Sequence, residues 1–254
     1  MKNYISALFL SLLSAGVLAQ GFQVGERLKY RAHYGVLNAG FAELNIKNAT
    51  INGESHYHVV GKGWSTGAVR AFFRVDDRYE TYINKRNLLP SRFIRDINEG
   101  GFTEFKEKTF DHQKRIVTVN NIKDRHISHH RIDGPVQDMV SAAYFLRSRP
   151  NTHYKVGQSF DVNIFMDGEV YPFRLQIQAR ERLKTRFGYI NAIKFTPSVM
   201  RGRVFKDNES VTMWVSDDAN MVPLLVQAKL VVGSLKMELF EYENLRYGID
   251  FRQR

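Results

Sequence analysis

The chain has 254 residues, 37 Lys and Arg against 26 Asp and Glu, no Cys, and a formal net charge of +11. Its 43% hydrophobic and 13% aromatic content exclude a disordered tail protein. The lack of Cys excludes a disulfide scaffold, thiol catalysis, iron–sulfur clusters, cysteine zinc sites and lipidation on cysteine, while the basic balance leaves an acidic partner open.

Residues 1–19 read as a secretory signal peptide. Lys2 supplies a positive start, 5–13 is mostly apolar, and Val17-Leu18-Ala19 offers the small residues that precede cleavage, expected after Ala19. The apolar stretch is shorter than the about 20 residues needed to span a hydrocarbon layer of roughly 30 Å, which argues against an anchor. No Cys stands at the cleavage point, which argues against a lipoprotein. The mature chain, 20–254, is expected to be a single periplasmic β-barrel-like domain of 235 residues with a charge of +10. Export redirects that charge from nucleic acid toward anionic envelope surfaces.

From Arg27 onward the dominant period is two. Leu28, Tyr30, Ala32 and Tyr34 alternate with Lys29, Arg31 and His33, and Ala42, Leu44 and Ile46 with Glu43, Asn45 and Lys47. Tyr57 and Val59 alternate with His56 and His58. Phe160, Val162, Ile164 and Met166 follow the same rule, as do Phe173, Leu175 and Ile177. This is the pattern of an antiparallel sheet with one wet side. Asn52-Gly53 and Asp167-Gly168 predict two-residue hairpin turns, and Gly100-Gly101, Phe187-Gly188 and Gly233-Ser234 mark further joins. The expected fold is all-β and mainly antiparallel: a curled sheet or incomplete β-barrel with one main helix and one short helix. The main helix is expected over 135–147, started by Pro135, stopped by Pro150, with Val136, Met139, Val140, Ala143 and Leu146 on one stripe. The short one is expected over 65–73. The segment 133–158 divides the strands into two halves.

No nucleophile elbow, phosphate loop, dinucleotide fingerprint or H-E-x-x-H motif occurs in the chain. Asp217-Asp218-Ala219-Asn220 reads as a turn. His56 with His58, and His126 with His130, have chelating spacing, but a structural zinc site needs four ligands and no further ones are evident, so no metal and no cofactor are expected. The basic runs 180–186 and 201–206 read as a solvated face. Aromatics such as Phe22, Tyr30, Tyr34, Phe41, Phe160, Phe173 and Phe240 are assigned to inward positions. There they either pack a core or line an apolar hole.

Phe22-x-Val24-Gly25-Glu26-x-Leu28-x-Tyr30, Tyr34-Gly35 and Ala39-Gly40-x-Ala42 open an ordered series of matches. Phe72-Phe73-x-Val75-x-Asp77-x-Tyr79-Glu80, Leu89-Pro90-x-Arg92-Phe93, Glu99-Gly100 and the run from Val136 to Arg147 continue it. Together they resemble the exported domain-of-unknown-function family numbered 3108, an uncharacterised family of Gram-negative envelopes that supplies no catalytic residues. Met213-Trp214-Val215 with Asp217, and Met221-Val222-Pro223-Leu224, give a distant fold-level likeness to periplasmic lipoprotein-carrier barrels, which enclose an apolar cavity beneath helices.

These readings lead to a non-catalytic periplasmic protein, not membrane-spanning and not binding nucleic acid. It is expected to bind or carry an apolar or amphipathic envelope molecule, a lipid or lipidated protein. Arg70, Phe72, Phe73, Arg74, Tyr79, Arg92, Phe93, Met139, Tyr144 and Arg147, on or beside the helices, are the candidate ligand-binding residues. The alternative is a structural module in envelope or surface-polymer assembly. A glycan-acting enzyme using Asp77 with Glu80 or Glu99 ranks lower, because those acids show no defined pair geometry.

Overall fold

The computed structural model describes residues 20–149, 154–199, 211–229 and 233–252. The expected signal peptide and the basic run 201–206 lie outside these. Among the described residues, strands β1 (Arg27–Tyr34), β2 (Leu37–Ile51), β3 (Glu54–Ser65), β4 (Asp76–Asn84), β5 (Pro90–Glu99), β6 (Phe102–Asp111), β7 (Ile116–Asn121) and β8 (His126–Arg131) form one meander. A second contains β9 (Ser159–Met166), β10 (Glu169–Thr185), β11 (Gly188–Val199), β12 (Val211–Ser216), β13 (Pro223–Lys229) and β14 (Ser234–Glu243). Antiparallel pairing of β1 with β14 joins the two into a single 14-stranded sheet with β8 and β9 at its edges. The sheet is curled but not closed.

Local chemistry sets the hairpins. Asn52 and Gly53 take φ of 51° and 79°, and Asp167 and Gly168 take 46° and 88°, the left-handed pair that a two-residue turn on twisted strands requires. On the outer face of the central pair, Arg27 bridges Glu43, Glu241 and Glu243, and Lys29 pairs with Glu241. Cross-strand ladders of this kind fix register more than they add stability.

Two helices lie between strands: α1 (Gly67–Phe72) and α2 (Ser141–Arg147). The expected start of the main helix at 135 is therefore too early. Residues 135–138 run extended: Gln137 donates its N–H to the Asn163 carbonyl and accepts from the Phe165 N–H, both at 2.8 Å. This segment covers part of the β9 edge that would otherwise be unpaired. Asp138 then caps the helix, accepting the N–H groups of Val140 and Ser141 at 2.8 Å each and the Thr81 hydroxyl at 2.6 Å.

Buried side chains fill the inner face in adjoining clusters. Leu28, Tyr30, Ile190, Leu224 and Leu239 pack around the β1/β14 seam. Phe22, Ile46, Val59, Ile83 and Tyr144 pack on the β2–β4 side. Phe93, Phe110, Val117, Val136 and Phe165 form a third cluster. Phe41 and Phe240 are not inward. Phe41 pairs across the ladder with Arg31 and contacts Trp64 and Phe240, and Lys29 and Arg186 lie over these rings on the outer face. The inward positions beside them belong to Ala42 and Leu239, each opposite Tyr30. Strand β3 is not one-sided either, since His56 and Tyr57 are both buried.

Candidate functional site

A cavity of about 390 Å³ lies between α2 and the inner face of β9–β13. Volumes of roughly 300–1,000 Å³ are typical of small-molecule sites. Alternation in the strands places the lining. Val162, Ile164 and Met166 of β9, Phe173 and Leu175 of β10, Phe195 of β11, and Met213 and Val215 of β12 all point into it. The helix contributes Ala142, Ala143 and Leu146, and Met139 stands just before it. Four methionines (Met139, Met166, Met213 and Met221) beside small alanines give a wall that can adjust to the shape of an apolar guest.

Polar groups sit at the boundaries. Tyr154 lines one side, and burial pushes its hydroxyl above the ordinary range. Arg147 lines another but is fully engaged. Its Nη1 and Nη2 donate to the two Glu26 oxygens at 2.6 and 2.8 Å, Nη2 also donates to the Gly21 carbonyl at 2.7 Å, and Nε to the Asn220 carbonyl at 3.0 Å. Burial works against the Arg147 charge, and Glu26 more than offsets it, so its pKa stands above the ordinary value. Gly21 is required here, because a Cβ would stand 2.5 Å from the Asn220 carbonyl oxygen and 2.7 Å from that of Arg147. The N-terminal segment, α2 and the turn after β12 are thus clamped at one point.

The ten candidate residues fall into separate places. Met139 and Arg147 are brought together at the cavity. Tyr144, one helical residue beyond Ala143, turns the other way and packs edge-on against Phe22 at 4.9 Å between ring centroids. Phe93 is buried in the third cluster with Tyr79 against it, and burial raises the Tyr79 hydroxyl. Arg92 pairs with Glu107 at 2.7 Å. Arg70, Phe72, Phe73 and Arg74 gather around α1: both arginines bind Asp76, which falls to about 2 through its hydrogen bonds with Arg70 and Arg74, and Phe72 is 92% exposed. The strand residues that line most of the cavity were missed as site residues, although their inward phase was readable from period two.

Other sequence features resolve as follows. His56 contacts the Glu54 carbonyl and the Ser91 hydroxyl, both at 2.8 Å, and His58 contacts Glu80 at 2.5 Å. Burial works to raise the Glu80 carboxyl, and Arg78 and His58 bring it below its usual range. Glu99 shares a hydrogen bond with Asp77 and is raised by that contact and by burial. Asp218 is a turn residue, accepting from Ser216, Asn220 and Met221. Among the described residues no group of three or more metal-ligating side chains occurs, and no helix is long and apolar enough to cross a membrane.

Comparison with known proteins bears on the fold and the family. The family model described as "Protein of unknown function (DUF3108)" matches residues 29–239. A beta-barrel-like protein of domain of unknown function DUF1849 from Brucella abortus superposes with a TM-score of 0.57 at 9% identity, over 87% of this chain and 98% of that one. A candidate lipoprotein from Parabacteroides distasonis gives a TM-score of 0.38 at 10% identity, over 88% of this chain and 98% of its own. A candidate exported protein with a YmcC-like fold from Bacteroides fragilis gives 0.36 at 8% identity, over 88% and 97%. Of these three scores, only the first indicates a shared fold. No curated protein matches significantly. These comparisons indicate no catalytic family.

Proposed function

The chain belongs to the DUF3108 family of proteins of unknown function, and on that premise we propose that it is a non-catalytic periplasmic protein that binds or carries an apolar or amphipathic envelope molecule. The observation that carries this reading is the cavity of about 390 Å³ beneath α2, whose wall is almost wholly aliphatic and aromatic. An acyl chain is the guest that such a wall accepts. Each buried methylene contributes about 0.8 kcal/mol, so a chain of moderate length binds without dedicated polar contacts. Among the described residues that line the cavity, Arg147 carries the one charge, and its guanidinium is committed to Glu26, Gly21 and Asn220. The single-domain reading of 20–254 and the periplasmic location remain part of this proposal. They are supported by the sequence of 1–19 and by the way Gln20 and Phe22 enter the core, the Gln20 side chain accepting from the buried Tyr57 hydroxyl at 2.6 Å.

Native mass spectrometry of protein purified without unfolding from its own periplasm tests the reading, together with titration by a fluorescent fatty acid. A co-purifying lipid and saturable probe binding are expected. Absence of both overturns it.

A second reading, an interaction module, draws on one observation. Successive turns of an antiparallel meander alternate between the two ends of the strands. The β1–β2, β3–β4, β5–β6 and β7–β8 connections therefore share one end, and it is there that Val36, Phe72, Phe102 and Ile122 are exposed. Crosslinking that captures a partner at these residues, with no lipid in the cavity, would favour it.

A further inference from the structure

The inner face of β6–β8 holds a second cavity, of about 360 Å³ and a different character. Cross-strand rows show how it is built. The row Phe110–Val117–His130 is largely apolar, the next is Phe93–Lys108–Val119–Ser128, and the next is Arg95–Lys106–Asn121–His126. Polarity therefore rises toward the end of the strands that carries the β7–β8 turn. The Asp167-Gly168 turn closes the cavity from the other meander, with Gly168 close against the His130 ring.

Most charges around it are matched. Lys106 pairs with Glu104, and Arg95 with Glu104 at 3.2 Å and Asp167 at 3.5 Å. His130 Nε2 meets the Ser128 hydroxyl at 2.8 Å. Asn121 donates to Asp124 at 2.7 Å. Lys108 is the exception. The residue is only 4% exposed, and among the described residues its ammonium has no hydrogen bond or ion pair, while the nitrogen itself keeps some solvent access. Its Nζ stands 5.4 Å from the ring centroids of Phe93 and of Phe165. Burial lowers its pKa; the more distant Asp167 and Asp138 favour its charge, and Arg95 and Lys106 oppose it. Rings offer a cation partial compensation, far short of what a buried ammonium loses on leaving water.

We infer that this cavity is an oxyanion-binding site, in which Lys108 pairs with a carboxylate or phosphate group entering beside Ser128 and His130. An incoming oxyanion supplies the partner that the protein does not, and a charge-assisted bond in a mostly buried setting is the strong kind. Asp167 stands at the same cavity and limits affinity by repulsion. The inference is independent of the apolar cavity under α2.

The test follows the lysine ε-methylene resonances of the full mature protein by NMR during titration with inorganic phosphate, acetate and dodecyl phosphate. Saturable shifts of the Lys108 signal are expected with at least one probe. Binding of inorganic phosphate or acetate identifies a free anion as the ligand, and binding of dodecyl phosphate alone identifies a lipid headgroup. Lys108→Met should weaken binding of that probe at least tenfold, while Asp167→Asn should strengthen it severalfold. Thermal melting of Lys108→Met at or above the wild-type temperature shows that the loss is not unfolding. If no probe shifts Lys108 saturably, or if Lys108→Met binds as tightly as wild type, the inference falls.

Discussion

The two meanders follow the same alternation yet differ inside. Beneath α2 the β1–β8 interior is packed: Phe22, Tyr57 and Tyr144 fill the space, and Phe93, Phe110, Val117 and Phe165 interlock between it and the polar cavity on β6–β8. The β9–β13 interior keeps a void of about 390 Å³ between Leu175, Phe195, Val215 and α2. Strand composition does not explain the contrast, since both faces are rich in aromatics and β-branched residues. The covering element does. Toward the first meander α2 presents Tyr144, whereas toward the second it presents Ala142 and Ala143 beside a single large residue, Leu146. Directly beneath α2, the Tyr144 side leaves no void, whereas the side with the two alanines leaves the apolar cavity open.

The largest effect is expected where the two compartments are tied together. Arg147→Met leaves Glu26, itself 1% exposed, as an uncompensated buried charge and frees the carbonyls of Gly21 and Asn220. Removing one member of such a pair costs about 3–5 kcal/mol. Urea unfolding should show a loss of that size, and a loss below about 1 kcal/mol would mean that the clamp does not hold the meanders together.

Matched truncations sharpen the contrast. Phe93→Ala removes a side chain surrounded on all sides and is expected to cost about 3–5 kcal/mol. Phe195→Ala removes one that already borders empty space and should cost at least about 1 kcal/mol less, because fewer packing contacts are lost. Equal costs in denaturant titrations would mean that the second interior is as tightly filled as the first. Filling it should have a smaller effect with the opposite sign. Ala142→Leu places three carbons into the void and should leave stability unchanged or raise it by up to about 1 kcal/mol, while lowering fatty-acid probe affinity at least tenfold. The equivalent overpacking in the packed cluster of the first meander, Val117→Phe, should destabilise by about 1–3 kcal/mol.

What the sequence revealed and what it hid separate along the same physical line. The hairpins at Asn52-Gly53 and Asp167-Gly168 and the antiparallel meander were legible because turn chemistry and period two are local. The start of α2 was not, because Pro135 and Val136 fit a helix pattern and only the distant β9 edge draws 135–138 into extended pairing. Period two shows that Phe41 and Ala42 face opposite ways, but not which way is inward. The acidic and basic ladder of β1, β2 and β14 decides that, and it forms only in the assembled sheet. Met139 and Arg147 were found from their place on the helix, whereas the void depends on where two alanines meet strands from another part of the chain. Nothing local in the sequence singles out Lys108, which sits beside Phe93 and Phe165 only in the assembled sheet.

The smallest effect concerns that lysine and separates a structural role from a binding one. Lys108→Met replaces a buried, unpaired ammonium with an apolar chain of similar length between two phenyl rings. At pH 7 the variant should be more stable than wild type, by on the order of 1 kcal/mol, because burying the charged form is the unfavourable step. The pH dependence fixes the cause. Burial lowers the folded-state pKa below the ordinary 10.5, so between the folded and unfolded values the unfolded chain binds more protons, and wild-type stability rises with pH relative to the variant. The gap between the two proteins should therefore be widest below the folded pKa and close as the pH approaches 10.5. Asp138, Asp167, Arg95 and Lys106 surround the site in both proteins, so their own titration largely cancels from the difference. Saturating oxyanion should narrow the gap at pH 7 by stabilising wild type alone, by RT ln(1 + [L]/Kd). A variant less stable than wild type at pH 7 without added anion would make Lys108 part of the first meander's own stability, and the contrast between the meanders would then rest on the α2 faces alone.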